Sequence, residues 1–205
     1  MKLSRTLPLM TAAGLLAMTA SAISAQAPQA TPTTATPAPA NAAPNPPVGG
    51  AVLDAAKPIA TNVAAAPNLT TLLTAAKAAD LISTLSGPGP YTVFAPTNEA
   101  FGRLAPGNLD NLMKPANKAA LAKVLTYHVV PGTITLYDLS ERIKAGGGTV
   151  RLTTVEGEPI TVTNPGGAFL LTDVNGNKSY IETPDVRQSN GIVHVVNGVL
   201  IPKLG

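Results

Sequence analysis

The residues most able to do chemistry in this sequence are two histidines and a serine near the second of them. Ser189 precedes His194 by five positions, in a region whose β-branched residues predict a strand. Successive side chains of a strand point to opposite faces, so residues five apart face opposite sides. The spacing therefore argues against a Ser–His catalytic pair. The sequence also lacks Gly-x-Ser-x-Gly, phosphate-loop and His-Glu-x-x-His motifs, and we expect no catalytic residues.

The sequence does not indicate a metal site either. A zinc site needs three or four ligands, and this chain has two histidines and no cysteine. The segment Asp173–Asn177 is similar to the start of a calcium-binding loop. However, Lys178 occupies the glycine position of such a loop and Pro184 the position of its bidentate glutamate. We interpret the segment as a hairpin turn and predict no metal and no cofactor.

Both histidines fit structural roles. His128 lies on the apolar face of a predicted helix, at its C-terminal end. We expect a core imidazole there, hydrogen-bonded to a backbone carbonyl. His194 shares one face of a predicted strand with Ile192 and Val196, so we expect it to be half-buried and structural.

The composition narrows the range of functions. The chain has 205 residues, a formal net charge of +3 and 12% charged residues. Its basic residues are scattered, without the stripe or the interleaved aromatic residues that nucleic-acid binding requires, so we expect no nucleic-acid partner. Without cysteine it forms no disulfide and carries no cysteine-linked lipid.

Residues 1–25 have the order of parts found in a secretory signal peptide. Lys2 and Arg5 precede an apolar run, Leu7–Ala20, and small residues follow it. That run is too short to span a bilayer, which needs roughly 20 residues. Cleavage fits after Ala22 or after Ala25. We therefore expect a secreted or periplasmic protein without a transmembrane anchor.

The rest of the chain divides into a spacer and a domain. Residues 26–50 consist mainly of Ala, Pro and Thr and show no apolar periodicity, which predicts a disordered linker. Residues 51–205 are enough for one folded domain with a substantial core.

The first half of that domain shows helical periodicity. The apolar faces are formed by Leu69, Leu72, Leu73 and Ala76, and by Leu121, Val124, Leu125 and His128. Asn68 is the expected N-cap of the first helix and Gly87 its expected stop, while Pro115 lies near the start of the second. Between the helices, Tyr91–Phe94 predicts a buried strand that ends at Pro96.

The second half changes to short β-branched runs, which predict strands. These are Thr149–Thr154, Pro159–Thr163, Ala168–Thr172, Lys178–Glu182 and Ile192–Val196. Turn residues separate them, and Asn175-Gly176 is the strongest hairpin signal. Helices followed by strands predict an α+β domain.

Three segments, taken together, resemble the two signature boxes and the central Tyr-His motif of the fasciclin domain. They are Tyr91–Phe101, Leu125–Gly132 and Asn190–Pro202, and the resemblance covers residues 52–204. It implies an N-terminal helical cluster packed on a wedge or sandwich of about seven mostly antiparallel strands. It also implies a non-enzymatic exported protein that contacts a cell-surface or extracellular-matrix component, either protein or polysaccharide. Because some relatives carry apolar pigments such as carotenoids, a carrier of a small apolar ligand is the alternative.

The resemblance also assigns roles to single residues. Tyr127 and His128 match the Tyr-His motif that animal relatives use in integrin-directed adhesion, which makes them candidate binding residues beside the structural interpretation. The other motif positions are expected to serve the fold: Phe94, Pro96, Thr97, Phe101, Asn190, Gly191 and His194. Phe94 and Phe101 are expected core anchors, and Thr97 is placed to cap a short helix beginning at Asn98. Asn197 stands where the second box usually has Asp, which predicts a weaker hydrogen bond there.

Overall fold

The computed structural model describes residues 44–105 and 107–204. The predicted signal peptide, residues 1–25, and the greater part of the predicted linker lie outside the described residues. Helices occupy Ile59–Ala65 (α1), Thr70–Ala78 (α2), Ile82–Leu85 (α3), Asn98–Gly102 (α4), Asn108–Leu112 (α5), Lys118–Tyr127 (α6) and Leu136–Ala145 (α7). Strands occupy Pro47–Val48 (β1), Ala51–Val52 (β2), Tyr91–Pro96 (β3), Val129–Pro131 (β4), Thr149–Thr153 (β5), Pro159–Thr163 (β6), Leu170–Thr172 (β7), Lys178–Gln188 (β8) and Gly191–Val196 (β9).

Seven of these strands form one sheet in the order β4-β3-β9-β8-β7-β6-β5. The pair β3–β9 is parallel, and the other neighbouring pairs are antiparallel. The long strand β8 joins two halves of the sheet, because its first residues pair with β7 and its later residues pair with β9. Val155, just after β5, donates its backbone N–H to the carbonyl oxygen of Val129 in β4 at 2.8 Å. The two ends of the sheet are thereby brought together, and the strands enclose a core between them.

The hydrophobic core has two parts. One lies between the helices and strands β3 and β9, and includes Val63, Leu72, Val93, Leu121 and Val195. The other fills the space enclosed by the strands and α7, and includes Phe94, Tyr127, Leu139, Ile160 and Leu171. The predicted α+β class, a helical cluster packed on seven mostly antiparallel strands, is confirmed.

The first predicted helix has the expected buried face but different ends. Leu69, Leu72 and Ala76 are buried and Leu73 is half-buried. Asn68 is not the N-cap, because a 3-10 turn over Pro67–Leu69 precedes the helix and puts Leu69 at the cap position. The helix also ends before Gly87. It stops at Ala78, and Asp80 follows in the left-handed conformation (φ +57°), which separates α2 from α3.

Two elements of the second half differ from the predicted strands-only pattern. Helix α7 lies among the strands, and Thr135 and Asp138 form a reciprocal capping box at its start. Strand β8 continues past Glu182 through Pro184, because register shifts in its pairing with β9 accommodate a residue without a backbone N–H.

The folded unit begins earlier than the predicted boundary at residue 51. Asn45 is buried, and its side-chain amide donates to the carbonyl oxygens of Leu53 and Arg187, each at 2.8 Å. Its side-chain oxygen accepts the N–H of Arg187 at 2.8 Å. Val48, in the short hairpin β1–β2, is also fully buried. Residues 44–50 therefore belong to the domain and not to the linker.

Candidate functional site

Tyr127, the first residue of the Tyr-His motif, is buried among the strands. Its side chain is 0% exposed, and its hydroxyl donates a hydrogen bond to the carbonyl oxygen of Pro159 at 2.9 Å. The same hydroxyl oxygen accepts the backbone N–H of Val174 at 3.3 Å. Burial raises the pKa of Tyr127 to about 12. Tyr127 thus connects the end of α6 to strand β6 and to the turn after β7.

His128 follows at the end of α6 and is 1% exposed. Its Nδ1 lies 2.8 Å from the carbonyl oxygen of Val124, and its Nε2 lies 3.0 Å from the backbone nitrogen of Leu200. A carbonyl only accepts and an N–H only donates, so the ring is neutral with its proton on Nδ1. Burial lowers the pKa of His128 from 6.5 to about 4. The predicted core imidazole, hydrogen-bonded to a backbone carbonyl, is confirmed.

His194 in β9 has the opposite tautomer and a similar environment. Its Nε2 donates to the carbonyl oxygen of Ile134 at 2.8 Å, and its Nδ1 accepts the N–H of Asp185 at 3.2 Å. Its ring stacks on Phe94, with centroids 5.6 Å apart and planes 24° from parallel. Burial lowers the pKa of His194. The ring is fully buried and not half-buried as predicted, because Ile134, in the segment before α7, and the ring of Phe94 lie against it.

The first box places its remaining residues as predicted. Phe94 and Phe101 are both buried, and so is Pro96 at the end of β3. The hydroxyl oxygen of Thr97 accepts the N–H of Ala100 at 3.2 Å, which confirms Thr97 as the N-cap of α4.

Asn190 and Gly191 begin the second box and hold three elements together. The side-chain amide of Asn190 donates to the carbonyl oxygens of Leu85 and Gly87, each at 2.9 Å, and its side-chain oxygen accepts the N–H of Ile59 at 3.0 Å. A Cβ atom at Gly191 would overlap the carbonyl oxygen of Tyr91. Only glycine permits this close approach of β3 and β9.

The two signature boxes and the Tyr-His motif are in contact with one another in the interior of the domain. Phe94 lies directly opposite His194 in the parallel pair β3–β9. The backbone N–H of Phe94 donates to the carbonyl oxygen of His128 at 2.9 Å. The three motifs that the sequence analysis grouped are therefore in contact in the folded domain. Their side chains are packed and hydrogen-bonded inside it.

A family model for the fasciclin domain matches residues 67–202. The chain belongs to the fasciclin domain family. Protein sll1483 of Synechocystis sp. is 40% identical over 159 residues, which cover 77% of this chain and 80% of that protein. Immunogenic protein MPB70 of Mycobacterium bovis is 33% identical over 150 residues, covering 71% of this chain and 69% of that protein.

The fold comparison agrees with the family assignment. A solved pair of fasciclin domains from the insect cell adhesion molecule Fasciclin I has a TM-score of 0.63 and 20% sequence identity. The match covers 71% of this chain and 51% of that chain, so this protein spans about half of the solved domain pair.

Asn197, where the family resemblance led us to expect an Asp, is hydrogen-bonded within this fasciclin domain. Its side-chain oxygen accepts the N–H of Tyr180 at 2.9 Å, while its backbone carbonyl accepts from the guanidinium of Arg103 at 3.1 Å. The amide oxygen is a neutral acceptor in this position. The hydrogen bond therefore lacks the charge assistance that a carboxylate would give.

Sequence reasoning missed the role of Asp173 in this fasciclin domain. Asp173 is buried, and its Oδ1 accepts the backbone N–H groups of Asn175 and Asn177 at 2.9 and 2.8 Å. Its Oδ2 accepts the side-chain amide of Asn177 and the N–H of Ile201, each at 2.8 Å. The predicted hairpin between β7 and β8 is confirmed, with Gly176 at φ +87°. The signal was available, because an Asp that starts a turn commonly binds the N–H groups two residues on and beyond.

The described part of the domain contains a small void and an open groove. A void beside His128, lined by apolar residues such as Val63, Leu72 and Leu125, measures about 20 Å³, which holds about one water molecule. An open groove of about 340 Å³ lies between α5, the start of α6 and the C-terminal segment. Among residues 44–105 and 107–204, no group of three or more His, Asp or Glu side chains is arranged to hold a metal ion.

Proposed function

We propose that this protein is a non-enzymatic exported module that adheres to a cell-surface or matrix component through the outer surface of its fasciclin domain. One observation carries the proposal. The chemically capable groups of the family motifs, Tyr127, His128 and His194, all face inward and bind backbone groups. We therefore expect the exposed faces of the strands and helices to contact another molecule.

The histidine geometry supports a non-enzymatic role. A general base must bring a free ring nitrogen within hydrogen-bond reach of its substrate. Both ring nitrogens of His128 and of His194 are already used, and both rings are buried. Ser189 is exposed while His194 is not, which is consistent with the predicted absence of a catalytic pair.

Export and adhesion rest on two further supports. The charge and hydropathy pattern of residues 1–25 is that of a secretory signal peptide. The solved structural neighbour is described as a cell adhesion molecule. In the part of the chain that the structure describes, no helix is long and apolar enough to cross a membrane.

The proposal is tested with the exported protein purified from its own cells. N-terminal sequencing is expected to give a mature start near Gln26. The folded protein is expected to be retained on envelope fragments of the same cells, whereas the same protein kept unfolded in urea and diluted immediately before the assay is not. Equal retention of both forms, or retention of neither, would contradict adhesion by the folded domain. A mature protein that still begins at Met1 would contradict export through a cleaved signal peptide.

The groove beside α5 favours a second candidate, a carrier of a small apolar ligand. Its lining includes the apolar residues Leu104, Leu112, Ile201 and Leu204 as well as three asparagines. A volume of about 340 Å³ falls at the lower end of the usual range for ligand pockets. Organic extraction of the native protein, followed by mass spectrometry, is expected to release an apolar compound under this hypothesis. Leu112→Gln is the matched test, since it places a polar group in the groove, and undiminished ligand content would argue against this location.

A further inference from the structure

The outer face of strands β5–β8 carries two parallel rows of side chains. The pairing registers place Arg151, Thr161, Thr172 and Lys178 side by side in one row. They place Thr149, Thr163, Leu170 and Tyr180 in the next row. We call these eight residues the threonine face.

The threonine face points away from the core. Of the residues that alternate with it along the strands, Val150 is half-buried and five are buried, namely Leu152, Ile160, Val162, Leu171 and Ser179. Arg151, Thr149 and Lys178 are exposed, and Tyr180 is 42% exposed. The three inner threonines are half-buried between their neighbours, and Leu170 is buried. The exposed groups of this face are therefore mainly polar.

Two cations mark the ends of the first row. Arg151 and Lys178 are three strand spacings apart, which is roughly 14 Å. Ion pairs in the described part of the chain join Lys57 to Asp54, Lys118 to Asp80 and Lys144 to Glu141, and neither Arg151 nor Lys178 takes part in them. Glu182 is exposed on β8 beyond Tyr180 and borders the face on that side.

The face adjoins a groove that adds a third cation. Lys178 also lines an open groove of about 220 Å³, together with Arg103, Asn177 and Asn197. The polar surface thus runs from Arg151 across the threonines to Lys178 and into this groove. An extended polymer can follow such a path, since no part of it is enclosed.

We propose that the threonine face binds an acidic polysaccharide. Carboxylates of the polymer would pair with Arg151 and Lys178, and Arg offers a planar fork that matches a carboxylate. Threonine hydroxyls both donate and accept, as sugar hydroxyls do, and the ring of Tyr180 offers an apolar surface to a sugar face. A nucleic acid would need a broader basic surface than this one. This inference rests on the proposed adhesive function and names its partner class and its surface.

The test measures binding of the exported protein to immobilised polygalacturonate at low salt. Arg151→Gln with Lys178→Gln removes both cations and is expected to weaken binding about tenfold. The matched control is Lys77→Gln with Lys123→Gln, which removes the same charge from exposed sites on α2 and α6 and is expected to change binding by less than about twofold. Thr161→Val with Thr172→Val removes hydroxyls at nearly constant shape, and binding is expected to fall about threefold. Circular dichroism of each variant verifies that it is folded.

The outcomes separate this inference from the proposed function. Equal weakening by both charge-removing variants, or equal binding of polyglutamate and polygalacturonate, would overturn the threonine face as a polysaccharide site. Binding to dextran, a neutral polymer, as strong as binding to polygalacturonate would overturn the acidic class. If the Arg151/Lys178 variant still adheres to envelope fragments as the unchanged protein does, the threonine face is not the adhesive surface. The proposal that the domain is adhesive would then remain supported. If the unchanged protein fails to adhere to envelopes, the adhesive function itself fails.

Discussion

The imidazole of His128 and the backbone of Leu200 are joined by a 3.0 Å hydrogen bond across 72 residues of sequence. Because the other ring nitrogen holds Val124 in the preceding helical turn, one buried side chain links α6 to the C-terminal segment. A residue that looks like a binding motif in the sequence thereby acts as a connector inside the fold.

Replacing His128 by alanine is expected to lower the free energy of unfolding by about 2–4 kcal/mol. The substitution leaves a cavity and an unpaired N–H at Leu200. Lys123→Ala, on the exposed side of the same helix, is the control and is expected to change stability by less than about 0.5 kcal/mol. Urea denaturation measures both. An unchanged unfolding curve for His128→Ala with lost adhesion would show that the Tyr-His motif is a contact surface.

Acid is expected to destabilise the domain through His128. Its folded pKa of about 4 lies below its ordinary value of 6.5, so the unfolded state binds more protons between these pH values. The contribution of neutral His128 to the free energy of unfolding is therefore complete above about pH 6.5. It is lost as the pH falls toward 4, and the total loss is on the order of 3 kcal/mol. His128→Gln keeps a donor and an acceptor but does not titrate, and it should flatten the fall in melting temperature between pH 7 and pH 4. An equally steep fall in the variant would assign the acid sensitivity to other groups.

Removing the Tyr127 hydroxyl is expected to cost about 1–3 kcal/mol, since Tyr127→Phe removes the hydrogen bonds to the Pro159 carbonyl and from the Val174 N–H. Tyr137→Phe is the control, because Tyr137 is 73% exposed. Thermal unfolding separates the two. Adhesion measured well below the melting temperature is expected to be the same for both variants and the unchanged protein, and a selective loss in Tyr127→Phe would point to a binding role.

The start of the folded unit can be located by truncation. A chain that begins at residue 51 loses Asn45 and Val48 and is expected to be about 2–4 kcal/mol less stable than one that begins at residue 44. Denaturant unfolding of the two chains under the same conditions gives the difference. Equal stabilities would return residues 44–50 to the linker.

The approach of β3 to β9 depends on the missing side chain at Gly191. Gly191→Ala places a methyl group on the carbonyl oxygen of Tyr91 and is expected to prevent normal folding, seen as a loss of cooperative melting. Gly102→Ala is the matched control, because a Cβ there meets no atom within 4 Å. It is expected to be neutral or to stabilise by up to about 1 kcal/mol. A Gly191→Ala protein that melts like the control would show that the two strands can separate freely.

The sequence predicted those helices, strands and turns whose formation depends on neighbouring residues. The helical faces identified α2 and α6, β-branched runs identified β6 and β9, and Asn175-Gly176 identified the hairpin. The start of helix α7 is also marked in the sequence, by the capping box of Thr135 and Asp138. The strand predicted over Lys178–Glu182 was too short, because the sequence does not reveal the register shifts by which β8 continues beside β9.

The part of the candidate site that depends on neighbouring residues could also be predicted from the sequence. The burial of His128 followed from the apolar neighbours on its helix face. Its bond to Leu200, the bond from Asn45 to Arg187 and the placement of Asp173 beside Ile201 join residues far apart in sequence. No local pattern contains such a pairing, since the tertiary fold alone brings these residues together.

The parallel pairing of β3 with β9 determines the order in which the protein can mature. A chain delivered N-terminus first emerges with β3 about a hundred residues before β9, and in that interval one side of β3 has no partner strand. The contacts of His128 and Asp173 with Leu200 and Ile201 also await the last residues of the chain. The domain therefore cannot be completed before its last residues are available, and it depends on long-range contacts, which form slowly. If the protein is exported as proposed, the chain can therefore stay unfolded until nearly all of its residues have crossed the membrane.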